Sequence, residues 1–96
     1  MDKNLEQYQR KAEILKALGH PVRLCIVTGL IDTHGCNVTH IQDCIGLPQS
    51  TISQHIQKLK SAGIIEGKRT GTEITYVVSD DLTKQIIKLI TIGEEI

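Results

Sequence analysis

Aromatic side chains are almost missing from this sequence, which has no Phe, no Trp and only two Tyr among 96 residues. A hydrophobic core must therefore be built from Ile, Leu and Val. A chain of this length makes one domain and buries a limited share of its surface. We expect a single domain over residues 1–96, with self-association as a supplement to the small core.

Long apolar runs are also missing. No apolar stretch approaches the roughly 18 residues that a membrane span needs, and the polar N-terminus does not resemble a signal peptide. The three cysteines have no framework spacing, which fits a reducing compartment better than a secreted disulfide scaffold. We therefore expect a cytoplasmic protein with no membrane partner.

Neither sign of charge predominates, because the formal net charge is zero. That balance argues weakly against a nucleic-acid partner, but the charges are unevenly distributed. Residues 48–78 carry four basic and two acidic side chains, whereas residues 79–96 carry two basic and four acidic ones. This asymmetry would turn the middle of the chain towards phosphate and leave the acidic end away from it.

The most informative stretch of the chain, residues 37–55, has the pattern of a helix-turn-helix. Asn37 can cap a first helix, and apolar residues then recur at spacings of three and four. Gly46 can take the positive φ that ends that helix. Pro48 suits the first turn of the next helix, where its missing N–H costs nothing.

The second helix of this motif, over about 48–62, opens with short hydrogen-bonding side chains. A buried helix has no need of so many, whereas a DNA major groove offers each of them a donor or an acceptor. The candidate DNA contacts here are Gln49, Ser50, Thr51, Ser53, Gln54, His55 and Lys58. His55 has an alternative interpretation, in which it packs the third helix of the chain on the fourth.

Outside the motif, apolar spacing predicts three more helices and one hairpin. The helices are expected over 4–18, 21–32 and 80–93, and the strands over 64–69 and 73–78 around a turn at 70–72. At the tip of the hairpin, Lys68, Arg69 and Thr70 are candidate DNA contacts. The alternative for the two basic residues is a merely solvated strand end.

Four helices, a β-hairpin and a fifth helix make a mainly α winged helix-turn-helix. The first and last helices, 4–18 and 80–93, carry more apolar surface than so small a core needs. We expect them to pair across a two-fold axis as dimerisation helices. A homodimer also suits the chemistry, because a helix-turn-helix dimer reads two half-sites about one DNA turn apart.

The chain resembles the ArsR family of small winged-helix repressors over nearly its whole length. The resemblance is carried, in order, by residues 18–24, 49–55 and 59–65 and by Gly71 and Tyr76 of the wing. Residues 47–51 are similar to the PagR-type subgroup, which lacks metal ligands. The resemblance implies a homodimer that represses transcription on a double-stranded DNA operator, with residues 49–55 in the major groove and Lys68 to Thr72 at the minor groove or the backbone.

Members of the family often release DNA when a metal or an oxidant binds, but this sequence lacks the ligand patterns that such members use. The stretch 38–41 lacks the family's Cys-x-Cys pair, and no His follows His55 to complete a zinc site with Asp80. Thr28 stands near the position of one dithiol cysteine, and the last helix has no cysteine at all. We expect no metal and no cofactor.

Two thiols and an imidazole, Cys36, His40 and Cys44, recur at steps of four, and this donor set suits Zn²⁺. A helix rises about 12 Å over eight residues, however, which is too far for one ion to reach both sulfurs while Cys36 is helical. Cys36 precedes the cap, so a loop there could fold back, but nothing in the sequence requires it. Cys44 is expected to be a small core hydrophobe. Cys25 and Cys36 are candidate redox thiols, with an unreactive thiol as the alternative for each.

The remaining basic side chains have structural interpretations. His20 is expected at a helix boundary before Pro21, and His34 in an exposed loop. The family resemblance favours Arg23 as a structural residue that pairs with an internal carboxylate.

Enzyme function is not expected, because the sequence has no Gly-rich phosphate loop, no supported Ser-His-Asp or Cys-His arrangement and no carboxylate pair in a cleft. The interpretation that fits best is a sequence-specific DNA-binding transcriptional repressor. The alternatives are a thiol- or metal-responsive repressor that uses Cys25, Cys36 and Cys44, and a winged helix that binds proteins. A protein interface would favour aromatic anchors, which this motif lacks.

Overall fold

The computed structural model describes residues 4–91, which form five helices and a two-stranded antiparallel sheet. In chain order these are α1 (Leu5–Leu18), α2 (Pro21–Thr33), α3 (Val38–Ile45), α4 (Gln49–Ser61), β1 (Ile65–Thr70), β2 (Glu73–Val78) and α5 (Asp81–Ile90). The predicted winged helix-turn-helix is confirmed. Thr33, expected in a loop, belongs to α2, and Pro48 precedes α4 instead of lying in its first turn.

Helix starts follow the local sequence. Four of the described helices begin after a side chain that accepts a hydrogen bond from a free backbone N–H. These caps are Asn4, His20, Asn37 and Asp80. The exception is α4, which follows Pro48 without a side-chain cap, so its first N–H groups have no such acceptor.

The core consists of aliphatic side chains, as the composition predicts. The buried hydrophobic residues are Ile14, Ala17, Leu18, Ile26, Val27, Leu30, Ile41, Ile52, Ile56, Leu59, Ile64, Ile65, Val78 and Ile87. They bring all five described helices and the base of the wing into one cluster. Burial of these side chains away from water holds the apolar face of α4 against the core and leaves the other face of the helix exposed.

The first helix has apolar side chains on two faces, and the structure buries one of them. Ile14 and Ala17 face the core together with Leu18. Leu5 and Leu15, which share helical spacing with Leu18, are 71% and 57% exposed. Helical spacing is satisfied by both faces, so only packing against the other helices decides between them.

The last helix repeats this arrangement. Thr83 and Ile87 are buried, whereas the apolar side chains of Leu82, Leu89 and Ile90 are exposed. Residues 92–93 of that predicted helix lie outside the described residues. Both terminal helices therefore carry apolar side chains that the rest of residues 4–91 leaves uncovered. Within residues 4–91 no single helix is long and apolar enough to cross a membrane; α1 and α2 pass that test only when they are counted together, across a bend of 98°.

The wing is hydrogen-bonded to the segment that precedes α3. Its strands pair from Ile65 opposite Val78 to Thr70 opposite Glu73, around a tight turn in which Gly71 has a φ of +64°. Cys36 adds a short antiparallel bridge, because its carbonyl oxygen accepts from the N–H of Tyr76 at 2.9 Å. This bridge sets the position of the wing relative to the helix-turn-helix.

Candidate nucleic-acid interface

The second helix of the motif exposes a polar face. Ile52, Ile56 and Leu59 fix α4 to the core and are at most 3% exposed. The opposite side presents five of the sequence candidates as exposed side chains: Gln49, Ser50, Ser53, Gln54 and Lys58. Thr51 and His55 are half-buried. An exposed helix face made of amides, hydroxyls and a cation can hydrogen-bond to base edges and to phosphates.

The wing tip presents the remaining candidates, and all three are exposed. Side chains alternate between the faces of a strand. Arg69 therefore lies on the face that Ile65 turns towards the core, whereas Lys68 and Thr70 lie on the other face. The two cations thus lie on opposite faces of the wing.

A contact that the sequence analysis missed connects the wing to the helix-turn-helix. Asn37, the cap of α3, accepts a hydrogen bond from the N–H of His40 through its side-chain oxygen at 2.8 Å. Its side-chain nitrogen donates to Glu73 at the start of β2. The capping role of Asn37 was predictable from local sequence, but its partner 36 residues away left no local signal.

His55 packs α4 against the start of α2. Its ring centroid lies 4.6 Å from that of His20, so the contact found for this ring is with α2, and the DNA contact expected of His55 stays a prediction. Burial lowers the pKa of His55, and the nearby charges of His20, Arg23 and Lys58 lower it further. The Nδ1 atom of His55 is buried without a hydrogen-bond partner. His20 itself caps α2, so its place at a helix boundary is confirmed.

Arg23 does not behave as expected. Its Nε atom is buried without a hydrogen-bond partner. Within residues 4–91 the ion pairs are Arg10 with Asp80 and Lys84 with Asp81, so the predicted pairing of Arg23 with an internal carboxylate is wrong. Arg23 lies instead beside His55, where two groups that carry or acquire positive charge are neighbours.

The cysteines also depart from expectation at one position. Cys25 is exposed and Cys36 half-buried, but Cys44 is exposed and is therefore not the predicted core hydrophobe. Ile41 and Ile45 on the same helix pack into or against the core instead. Among residues 4–91, no three His, Cys, Asp or Glu side chains are grouped so that they could hold a metal ion.

Comparison with known proteins places this geometry among transcriptional regulators. A family profile described as a helix-turn-helix domain matches residues 18–68. The chain is 43% identical over 86 residues to an uncharacterised HTH-type transcriptional regulator of Methanocaldococcus jannaschii, covering 90% of this chain and 97% of that protein. It is 42% identical over 79 residues to the transcriptional repressor PagR of Bacillus anthracis, covering 82% of this chain and 79% of PagR.

Comparison with solved structures also gives transcriptional regulators. The crystal structure of PagR superposes with a TM-score of 0.83 at 39% identity, covering 88% of this chain and 95% of that one. A solution structure from Mycobacterium bovis, a homodimeric winged helix-turn-helix DNA-binding domain of a possible ArsR-family regulator, gives 0.83 at 26% identity, covering 99% and 87%.

The exposed polar face of α4, the exposed cations near the wing tip and these relatives define a DNA-binding transcriptional regulator. More narrowly, the chain belongs to the ArsR family of winged helix-turn-helix repressors, as the sequence resemblance implied.

Proposed function

We propose that this protein represses transcription by binding a double-stranded DNA operator as a homodimer in the cytoplasm. The observation that carries the proposal is the polar face of α4, which stands exposed on a helix whose other side is fixed by Ile52, Ile56 and Leu59. A rigidly held helix can present side chains to base edges in a constant register, which sequence recognition requires.

The proposed dimer interface is formed by the apolar faces of α1 and α5 that the chain leaves uncovered. The large exposed hydrophobic side chains on these helices are Leu5, Tyr8, Leu15, Leu82, Leu89 and Ile90. Exposed apolar side chains gathered on two helices are typical of a protein–protein contact. The homodimeric state of the Mycobacterium bovis neighbour supports the same arrangement here.

The proposed roles of the contact residues follow from their chemistry. Gln49 and Gln54 read base edges, because a carboxamide can bond an adenine bidentately. Ser50, Thr51 and Ser53 supply shorter contacts to bases or phosphates. Lys58, Lys68 and Arg69 neutralise backbone phosphates, with Thr70 as a hydroxyl donor at the wing tip. His55 acts from behind the reading face by holding α4 on α2.

Selection from a pool of random DNA duplexes tests this proposal directly. We expect enrichment of a two-fold symmetric sequence whose half-sites are centred about one helical turn apart, or a multiple of it. Binding should be tighter than to scrambled duplex by about 10³ or more at physiological salt. Failure to enrich any motif, with all duplexes bound equally, would contradict sequence-specific repression and leave only a general DNA affinity.

A further inference from the structure

A small pocket lies between α2 and α3, away from the polar face of α4. Its volume is about 100 Å³, and all three cysteines of the chain line it. Cys25 comes from α2, Cys36 from the bridge to the wing, and Cys44 from α3. Aliphatic side chains of Ile26, Leu30, Ile41 and Ile45 supply most of the remaining wall. Such a wall favours a small neutral guest over a hydrated ion.

The three thiols differ in their burial and in the groups that lie next to them. The Sγ atom of Cys44 is exposed and lies 3.7 Å from Nε2 of His40, one helical turn earlier. An imidazole at that distance can take the thiol proton, as in cysteine–histidine nucleophile pairs. Burial raises the pKa of the Cys36 thiol; a hydrogen bond with Thr33 opposes this shift, and the neighbouring Cys44 adds to it. The raised pKa disfavours the thiolate of Cys36, and the expectation from sequence that Cys25 and Cys36 are the redox thiols stays a prediction.

We propose that Cys44 is a covalent modification site for small, neutral carbon electrophiles of the α,β-unsaturated carbonyl class, with His40 as its base and the α2–α3 pocket as their binding site. His40 Nε2 takes the Sγ proton, and the sulfur lone pair forms a bond to the β-carbon of the electrophile. The electrons of the carbon–carbon double bond move towards the carbonyl oxygen, and the resulting enolate recovers the proton from His40. The addition needs no oxidant or reductant.

An adduct at this site would act on DNA binding through α3. Ile41 lines the pocket and is also a core residue with 4% exposure. New atoms in the pocket would separate α2 from α3, because packed interiors do not absorb added volume without a shift. As the first helix of the helix-turn-helix, α3 would carry that shift to α4. This consequence rests on the proposed function, whereas the reaction at Cys44 does not.

The reaction can be followed without DNA by treating the full chain with methyl vinyl ketone and locating adducts by peptide mass spectrometry. We expect the first adduct on Cys44, formed about tenfold faster or more than on Cys25, since a positioned base contributes roughly 10²–10⁴. His40→Gln should remove this advantage and also the imidazole step from the pH profile of the rate. The backbone bond from His40 to the Asn37 cap remains in that variant, and Cys25→Ser is the matched control. First reaction at Cys25 or Cys36, or an unchanged rate in His40→Gln, would overturn the assignment.

Two alkylating reagents of similar size but different charge test the pocket. Neutral iodoacetamide should alkylate Cys44 faster than anionic iodoacetate does. The ratio of the two rates should be larger at Cys44 than at a free thiol in solution. Equal ratios would show that Cys44 reacts outside the pocket and would overturn that part of the proposal.

The effect on the operator is a separate measurement. Treated wild type should lose about tenfold or more in operator affinity, a typical size for coupling between two sites, and treated Cys44→Ser should not. An adduct on Cys44 with unchanged affinity would overturn the regulatory consequence. Unmodified protein that binds no operator would instead contradict the proposed function, with the reaction rates still deciding the site.

Discussion

Arg10 on α1 donates a hydrogen bond from Nη1 to the carbonyl oxygen of Ala62, at 2.6 Å and across 52 residues of sequence. Its other terminal nitrogen, Nη2, lies 3.8 Å from Oδ1 of Asp80. Ala62 is the C-cap of α4, and Asp80 is the N-cap of α5. A single guanidinium therefore connects α1, the end of the proposed reading helix and the start of the last helix.

Replacing Arg10 with Met should lower the free energy of unfolding by about 1 kcal/mol, since a half-exposed charged hydrogen bond contributes little more than this. Urea titration followed by circular dichroism measures the change. Lys16→Met, an exposed position on the same helix, is the control and should stay close to wild type. Equal midpoints for the two variants would mean that the Arg10 contacts contribute nothing measurable.

Gly63→Ala tests the same junction from the other side. Gly63 has a φ of +75°, and a Cβ there would lie 2.8 Å from Nη2 of Arg10. The left-handed backbone alone costs roughly 1–2 kcal/mol. Gly46→Ala is the matched control, because Gly46 has a φ of +80° with nothing within 4 Å of the added Cβ. Gly63→Ala should be the less stable variant of the two, and the reverse order would exclude crowding by Arg10.

The proposed base and phosphate contacts can be separated by their dependence on sequence and on salt. Gln54→Ala should lose about 1–3 kcal/mol at one base position of the operator. Lys68→Ala should weaken binding to every sequence alike and reduce the slope of log K against log salt by about one per protomer. Gln85→Ala, an exposed position on α5, should leave both quantities unchanged. If the wing variant altered base preference and the helix variant did not, the assigned roles would be reversed.

Leu89→Glu should convert the dimer to a monomer, because it replaces a 69% exposed apolar side chain of the proposed interface with a charged one. Light scattering after gel filtration gives the mass, and operator affinity should fall with dimer content. Lys88→Gln lowers the charge of the same helix by the same one unit at an exposed position off the Leu82–Leu89 face, and serves as the control. A Leu89→Glu dimer of unchanged stability would place the contact elsewhere on the chain.

The lowered pKa of His55 predicts a loss of stability in acid. His55 is protonated less readily in the folded chain than in the unfolded chain, where its pKa has the ordinary value of 6.5. The causes are partial burial and the nearby charges of His20, Arg23 and Lys58. The stabilisation is therefore fully present above that value and is lost as the pH falls through the lower folded pKa. Urea midpoints measured between pH 8 and 5 for wild type and His55→Gln should diverge, with a flatter profile for the variant. Parallel profiles would assign the acid sensitivity to other groups.

Local chemistry was enough to predict the order of helices and strands. The cap at Asn37, the positive φ at Gly46 and the wing turn at Gly71 depend on neighbours in sequence, because capping bonds and left-handed backbone are local properties. Ile52 and Ile56 are spaced by four, which places both on one face of α4, and both are buried there. The sequence by itself therefore determined the class of fold and the candidate reading face.

Contacts between distant residues were decided only by the tertiary structure. Either apolar face of α1 satisfies helical spacing, and packing buries Ile14 while Leu15 stays exposed. The His20–His55 contact and the Arg10–Ala62 bond join residues whose separation in sequence carries no periodic signal. Side-chain burial depends on which elements meet, so the exposure of Cys44 at a pocket between α2 and α3 became visible only when both helices were in place.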